Sequence, residues 1–223
     1  MTDPVKRGTR RAEQARATRR RIIAAATELF VTHGYGGTRL DQVAEQSGVA
    51  IQTVYFHFGN KHTLLKEALD VAAAGDDEPV PLLDRPWLIP IRQEPDPRQI
   101  IRMWLANSRS ILERAAPLMR VVRGATGTDP ELAAQWHIKQ QQTRAAYAVL
   151  VQLLNDRGAL NPALTLDHAR DVAFVLANID SYLGYSDICG WTFDQWQHQT
   201  TQVLIAALLP GEGGGAVQNA GEA

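Results

Sequence analysis

One cysteine, Cys189, stands in a chain of 223 residues. No internal disulfide can form, and a reducing compartment fits. No stretch approaches the ~20 apolar residues of a membrane span. The Arg-rich start lacks the apolar segment of a secretory signal. No membrane partner is therefore expected, and a cytoplasmic location is. There is no Gly-rich phosphate loop, no HExxH and no CxxC pair. The histidines (His33, His57, His62, His137, His168 and His198) are scattered without metal-ligand spacing. No metal, no cofactor and no enzymatic activity are expected. Cys189, beside Gly190 and Trp191, reads as a small hydrophobe before a redox thiol.

The formal net charge of −1 hides a split. Residues 1–66 carry 11 Lys/Arg against 5 Asp/Glu, a balance of +6. Residues 67–223 carry 12 against 19, a balance of −7. Such asymmetry points to a polyanion facing the first part of the chain.

That basic part also holds the most informative segment, TRLDQVAEQSGVAIQTVYFHFGNKHTLL, residues 38–65. Leu40, Val43 and Ala44 recur at helical spacing, with Thr38 as the expected N-cap. Gly48 supplies the positive φ that ends this helix, and Val49 plugs the turn. Val54 and Phe58 share one face of a second short helix. Gln52, Thr53, Tyr55 and His57 lie on the other. One helix that packs, followed by one that offers polar and aromatic side chains outward, is helix-turn-helix grammar. Asn60 caps the next helix. Lys61 in its first turn opposes the helix dipole, which makes sense beside a phosphate.

These residues resemble the DNA-binding domain of TetR-type (tetracycline-repressor-like) one-component transcription regulators. The resemblance rests on Gly48-Val49-Ala50, Thr53 to Phe58, Asn60-Lys61 and Leu64-Leu65. Before them comes an amphipathic helix with Ile22, Ile23, Ala26, Leu29 and Phe30, closed by His33-Gly34-Tyr35. It covers roughly residues 17–70. RPWLIPIRQEPDP, APLMRVVRGATGTDPELAAQW and GWTFDQWQHQTTQVLIAALLP resemble a subgroup common in high-GC bacteria. The resemblance implies an all-α fold, with an N-terminal three-helix DNA-binding domain and a C-terminal helical bundle for effector binding and dimerisation. It implies contacts of Tyr55, His57 and Lys61 with the DNA backbone. Two departures stand out. Ala50 replaces the usual capping Ser or Thr, which weakens the helix start by ~1 kcal/mol. Ile51 stands where relatives carry a polar or basic residue, and either meets a thymine methyl or packs.

The expected organisation is a basic disordered arm at 1–16, a DNA-binding domain at 17–74, a Pro-rich linker at 75–97, a C-terminal domain at 98–210 and a disordered tail at 211–223. From Pro97 on there are helical signals only. Helices are expected at about 97–115, from Pro117 to near Gly124, at about 130–157 after an Asp129 cap, at 166–187, and at 193–209 after Thr192. Helices at about 166–209 carry two apolar surfaces. One holds Val172, Leu176 and Ile179, the other Trp196, Val203, Leu204 and Leu208. They are either a core inside one subunit or a four-helix interface of a homodimer, and the resemblance favours the dimer.

The expected DNA-contacting set is Thr38, Arg39, Ile51, Gln52, Thr53, Tyr55, His57 and Lys61. Gln52 and Thr53 reach base edges, and Tyr55 and His57 reach phosphates. A ligand pocket is expected near Met103, Trp104, Trp136, Tyr147, Phe174 and Asn178, although aromatic residues at helical spacing also simply pack. The expected function is a ligand-responsive repressor, released from a palindromic operator on double-stranded DNA by a small, mostly apolar effector. An activator of the same fold, or a DNA-coating protein without effector, are the alternatives.

Overall fold

The computed structural model describes residues 4–211, with side chains from residue 11 onward. Among the described residues all regular structure is helical, as the pattern predicts. The chain divides into two compact units. One runs to Pro79 and takes in Arg114–Ile138; the other takes Val80–Glu113 and the chain from Lys139 on. This differs from the consecutive domains expected, because helices of the C-terminal part contribute to both units.

In the first unit, α1 (Pro4–Gly37) is followed by α2 (Leu40–Ser47), α3 (Ile51–Phe58) and α4 (Lys61–Ala74). α1 packs on α2 and α4, and α2 on α3. Ile22, Ala26 and Phe30 of α1 are fully buried, with Val43, Val54, Leu64 and Leu65 from the other three helices. Gly34, at φ 69° and ψ 176°, interrupts α1 near its end. Residues 4–16 continue α1 and are not the disordered arm expected of them. Their Ala, Arg, Gln and Glu favour helix, and a helix already nucleated extends at little cost. Residues 1–3 lie outside the described residues.

The turn after α2 forms as expected. Gly48 is left-handed at φ 66° and ψ 39°, and the Val49 amide donates to the Ala44 carbonyl at 3.0 Å. Thr38 is not the N-cap of α2. That position belongs to Arg39, whose amide donates to the Gln42 side chain at 3.0 Å. Asn60 does cap α4, accepting from the Thr63 amide at 2.8 Å.

Beyond α4, the Pro-rich stretch is more regular than expected. It forms a 3-10 turn at Leu82–Asp84 and a short helix, α5 (Leu88–Gln93). Pro90 sits in the first turn of α5, where a helix needs no amide donor, and Leu88 and Ile91 are buried. α6 (Pro97–Ala125) is a single helix with Pro117 inside it, where a new start was expected. Proline removes one backbone bond, but Ala115, Ala116 and Leu118 around it are almost wholly buried, and that burial offsets the loss. α7 (Pro130–Asp156) starts as expected: the Asp129 carboxylate accepts from the amides of Glu131 at 3.0 Å and Leu132 at 3.1 Å.

The helix expected at 166–187 is broken. α8 (Leu166–Ala177) ends at Asn178, which is extended at φ −80° and ψ 176°. The Asn178 side chain accepts from the Ser181 amide at 2.9 Å and so caps α9 (Ile179–Leu183). A π turn at Gly184–Ile188 follows. α10 (Phe193–Leu208) opens on a capping box between Thr192 and Gln195 and packs on α8. Trp196, Leu204 and Leu208 have no exposed surface within the single chain. They belong to the core of one subunit, the first of the two readings that the sequence left open. On α8, by contrast, Val175 is 61% exposed. The expected disordered tail lies outside the described residues except for Gly211.

Candidate functional site

The outward face of α3 is the candidate site in the first unit. Val54 and Phe58 turn inward and are buried, a spacing of four that fixes the helix's rotation. Gln52, Tyr55 and Phe56 are thereby exposed, while Ile51, Thr53 and His57 are half-buried at the edges. Phe56 is 85% exposed. It was not among the expected contacts, although its register announces it: two residues from both Val54 and Phe58, it must lie opposite them. Its ring meets His57 edge-on at 5.3 Å. Ala50 precedes the helix in extended conformation without a side-chain cap.

The other expected contacts are placed differently. Thr38 is completely buried, and its hydroxyl donates to the carbonyls of Leu29 at 3.0 Å and Gly34 at 2.8 Å. The side chain staples the end of α1 rather than facing outward. Arg39 is exposed but engaged by Asp41, its Nε donating at 3.0 Å. That bond raises the Arg39 pKa and holds the Asp41 carboxyl below the usual range. The Lys61 ammonium donates to the carbonyls of Tyr35 at 2.8 Å and Thr38 at 3.0 Å. Burial lowers its pKa, and Asp129 opposes that shift. Arg19 lies 5.2 Å from the Phe58 ring centre and pairs with Glu67, tying α1 to α3 and α4.

In the second unit, the structure brings Trp104 and Tyr147 together, ring centres 6.1 Å apart. Both are buried. The Tyr147 hydroxyl donates to the Ala177 carbonyl at 3.0 Å, and burial pushes its pKa up to about 12. Trp87 completes the cluster, edge-on to Trp104 at 5.4 Å. Asn178 is buried, and its oxygen is committed to capping α9. Met103 and Phe174 are half-buried. Trp136 belongs to the first unit, and the other five expected pocket residues belong to the second. A separate open groove of about 460 Å³ is lined by Arg92, Ala148, Val149, Gln152 and Leu153.

A packed helix, a left-handed glycine turn and a second helix with an exposed aromatic and polar face define a helix-turn-helix. Residues 22–68 match the model for bacterial regulatory proteins of the tetR family. The uncharacterized HTH-type transcriptional regulator TtgW of Pseudomonas putida is 45% identical over 58 residues, 26% of this chain and 43% of its own length. The chain spans less than half the length of the curated relatives it matches. Among solved structures, FadR from Bacillus subtilis in complex with stearoyl-CoA superposes with a TM-score of 0.67 at 17% identity, covering 84% of this chain and 97% of FadR. NalD, the secondary repressor of the MexAB-OprM multidrug efflux pump in Pseudomonas aeruginosa, superposes at 0.65 with 22% identity, covering 87% and 98%. The likeness to the tetR family in sequence is confined to the helix-turn-helix part of the chain, and the likeness to these solved regulators in fold extends over most of its length.

Proposed function

We propose that this chain is a ligand-responsive, DNA-binding transcriptional regulator, a homodimeric repressor released from a palindromic operator by a small, mostly apolar effector. The observation that carries the DNA-binding part is the outward face of α3, where Gln52, Tyr55 and Phe56 are exposed on a TetR-type helix-turn-helix. Gln52 suits adenine, and an aromatic edge suits a thymine methyl. Two copies would place recognition helices ~34–36 Å apart in successive major grooves. Val175, exposed on α8, supports an interface about this helix.

An apolar effector is the reading that the aromatic cluster of Trp87, Trp104 and Tyr147 favours, since such side chains would line an apolar site between helices. The solved relatives include one bound to stearoyl-CoA and one that represses an efflux pump. Such an effector acts only through its differential affinity for the DNA-competent and DNA-incompetent states.

Selection of a duplex from a random-sequence library by the full chain tests the reading. A symmetric site should emerge, bound at least about 10³-fold more tightly than random DNA at physiological salt. Binding of equal strength to every duplex would make the chain a DNA-coating protein. Reporter expression from that site, with and without the chain, separates repression from activation.

A further inference from the structure

His62 holds two carboxylates at once. Its Nε2 lies 3.0 Å from Asp129, and its Nδ1 lies 3.2 Å from Glu131. A neutral imidazole carries a single N–H, so its second nitrogen would present a lone pair to a carboxylate. Only the imidazolium donates to both. We propose that His62 is a proton-dependent clasp joining the first turn of α4 to the start of α7.

The groups around it are few. From α1, the Tyr35 ring covers one side at 5.2 Å. Burial first, then Asp129 and Glu131, push its phenol up to about 12, so it stays neutral where histidine titrates. On α4, the Lys61 ammonium is taken up by the Tyr35 and Thr38 carbonyls, and Lys66 one turn on pairs with Asp70 at 2.9 Å. From the α6–α7 corner come Asp129 and Glu131. The Asp129 carboxyl is held below its ordinary range, first by its bond with His62, so it stays ionised near neutrality.

Asp129 is fixed in place, because it also caps α7. Glu131 is the more exposed partner. When the ring loses its proton, Glu131 is the contact given up. The clasp is complete when the ring is protonated and half-made when it is neutral. α4 begins three residues after α3 ends, so the clasp bears on the corner that sets the recognition helix. On the regulator reading above, DNA affinity should then fall as pH rises, and that consequence alone rests on the reading.

Thermal melting of the full chain and of His62→Gln at pH 6, 7 and 8 tests the clasp. His62→Gln should melt lower at pH 6, and the difference should shrink at least by half at pH 8. Glu131→Gln, at an exposed position that tolerates change, should lower the melting temperature at pH 6 in the native background and not in the His62→Gln background. Equal pH slopes for wild type and His62→Gln would overturn the proposal, as would a Glu131→Gln effect indifferent to His62. On the selected duplex, wild-type affinity should fall about two- to fivefold more than that of His62→Gln between pH 6 and 8. His57→Gln controls for the recognition-helix histidine. A slope removed from DNA binding but kept in melting places His62 on DNA and overturns the clasp. Failure to select any duplex sinks the regulator reading and leaves the melting test standing.

Discussion

The Lys61 ammonium sits 2.8 Å from the Tyr35 carbonyl oxygen and 4.2 Å from the centre of the Tyr35 ring. With Thr38 it thereby closes the end of α1, where carbonyls lack helical partners. Lys61→Ala should lower stability without DNA by about 1.5–3 kcal/mol, the range for hydrogen bonds to a charged group. Urea unfolding of the free protein measures it. A variant as stable as the wild type would mean that the ammonium serves phosphate alone.

Phe56 and Tyr55 should separate binding from folding. Both are exposed, Phe56 at 85% and Tyr55 at 52%, so alanine at either should leave the melting temperature nearly unchanged. Affinity for the selected duplex should drop by about 1–3 kcal/mol for Phe56→Ala, with the loss concentrated at sites bearing a thymine methyl. Tyr55→Ala should weaken all duplexes alike. Fluorescence anisotropy across a panel of single-base variants distinguishes the two patterns.

Ala50→Ser should stabilise the chain. Ala50 is an extended N-cap with no side-chain acceptor, and serine supplies one for the first-turn amides. A gain of about 1 kcal/mol is expected, read as a rise of about 2–4 °C in melting temperature. An unchanged midpoint would show that the Thr53 amide, already bonded to the Ala50 carbonyl at 2.9 Å, has nothing further to gain.

A charge on α8 and a charge on α10 should have opposite consequences. Leu204 is fully buried and Val175 largely exposed. Leu204→Asp should unfold the subunit, since an unpaired charge in the core costs about 4 kcal/mol or more. Val175→Asp should keep native circular dichroism and yield monomers in light scattering. A folded Val175→Asp dimer would place the interface elsewhere.

Tyr147 should make the protein alkali-sensitive. Its folded pKa, about 12, lies above the ordinary tyrosine value of 10.0, because the ring is buried. The folded state therefore holds this proton more tightly, and the stability it contributes is complete below pH 10 and lost as pH rises towards 12. Tyr147→Phe should be less stable at pH 8, because the Ala177 carbonyl loses its donor. It should also show a flatter decline above pH 10. Parallel declines would assign the alkaline loss to other groups.

The parts legible in the sequence are those fixed within one or two helical turns. Gly48 ends α2 because a positive φ is cheap only for glycine. Asn60, Asp129 and Thr192 cap because their side chains reach amides three residues on. The inward pair Val54 and Phe58 follows from helical period alone, and that pair already implied an exposed Phe56. Length and a single cysteine ruled out a disulfide scaffold without any structure.

Tertiary structure decided what depends on partners distant in sequence. Pro117 stays inside α6 because its neighbours are buried, and a local rule prices only the missing bond. Thr38 and Lys61 face inward because the end of α1 leaves carbonyls that need donors, 4 to 26 residues away. Leu204 and Val175 look alike as apolar helix positions, yet packing buries one and leaves the other exposed. His62 meets Asp129 across 67 residues. The sequence supplies the ionisable groups of that contact, but only the folded chain brings both carboxylates to one ring.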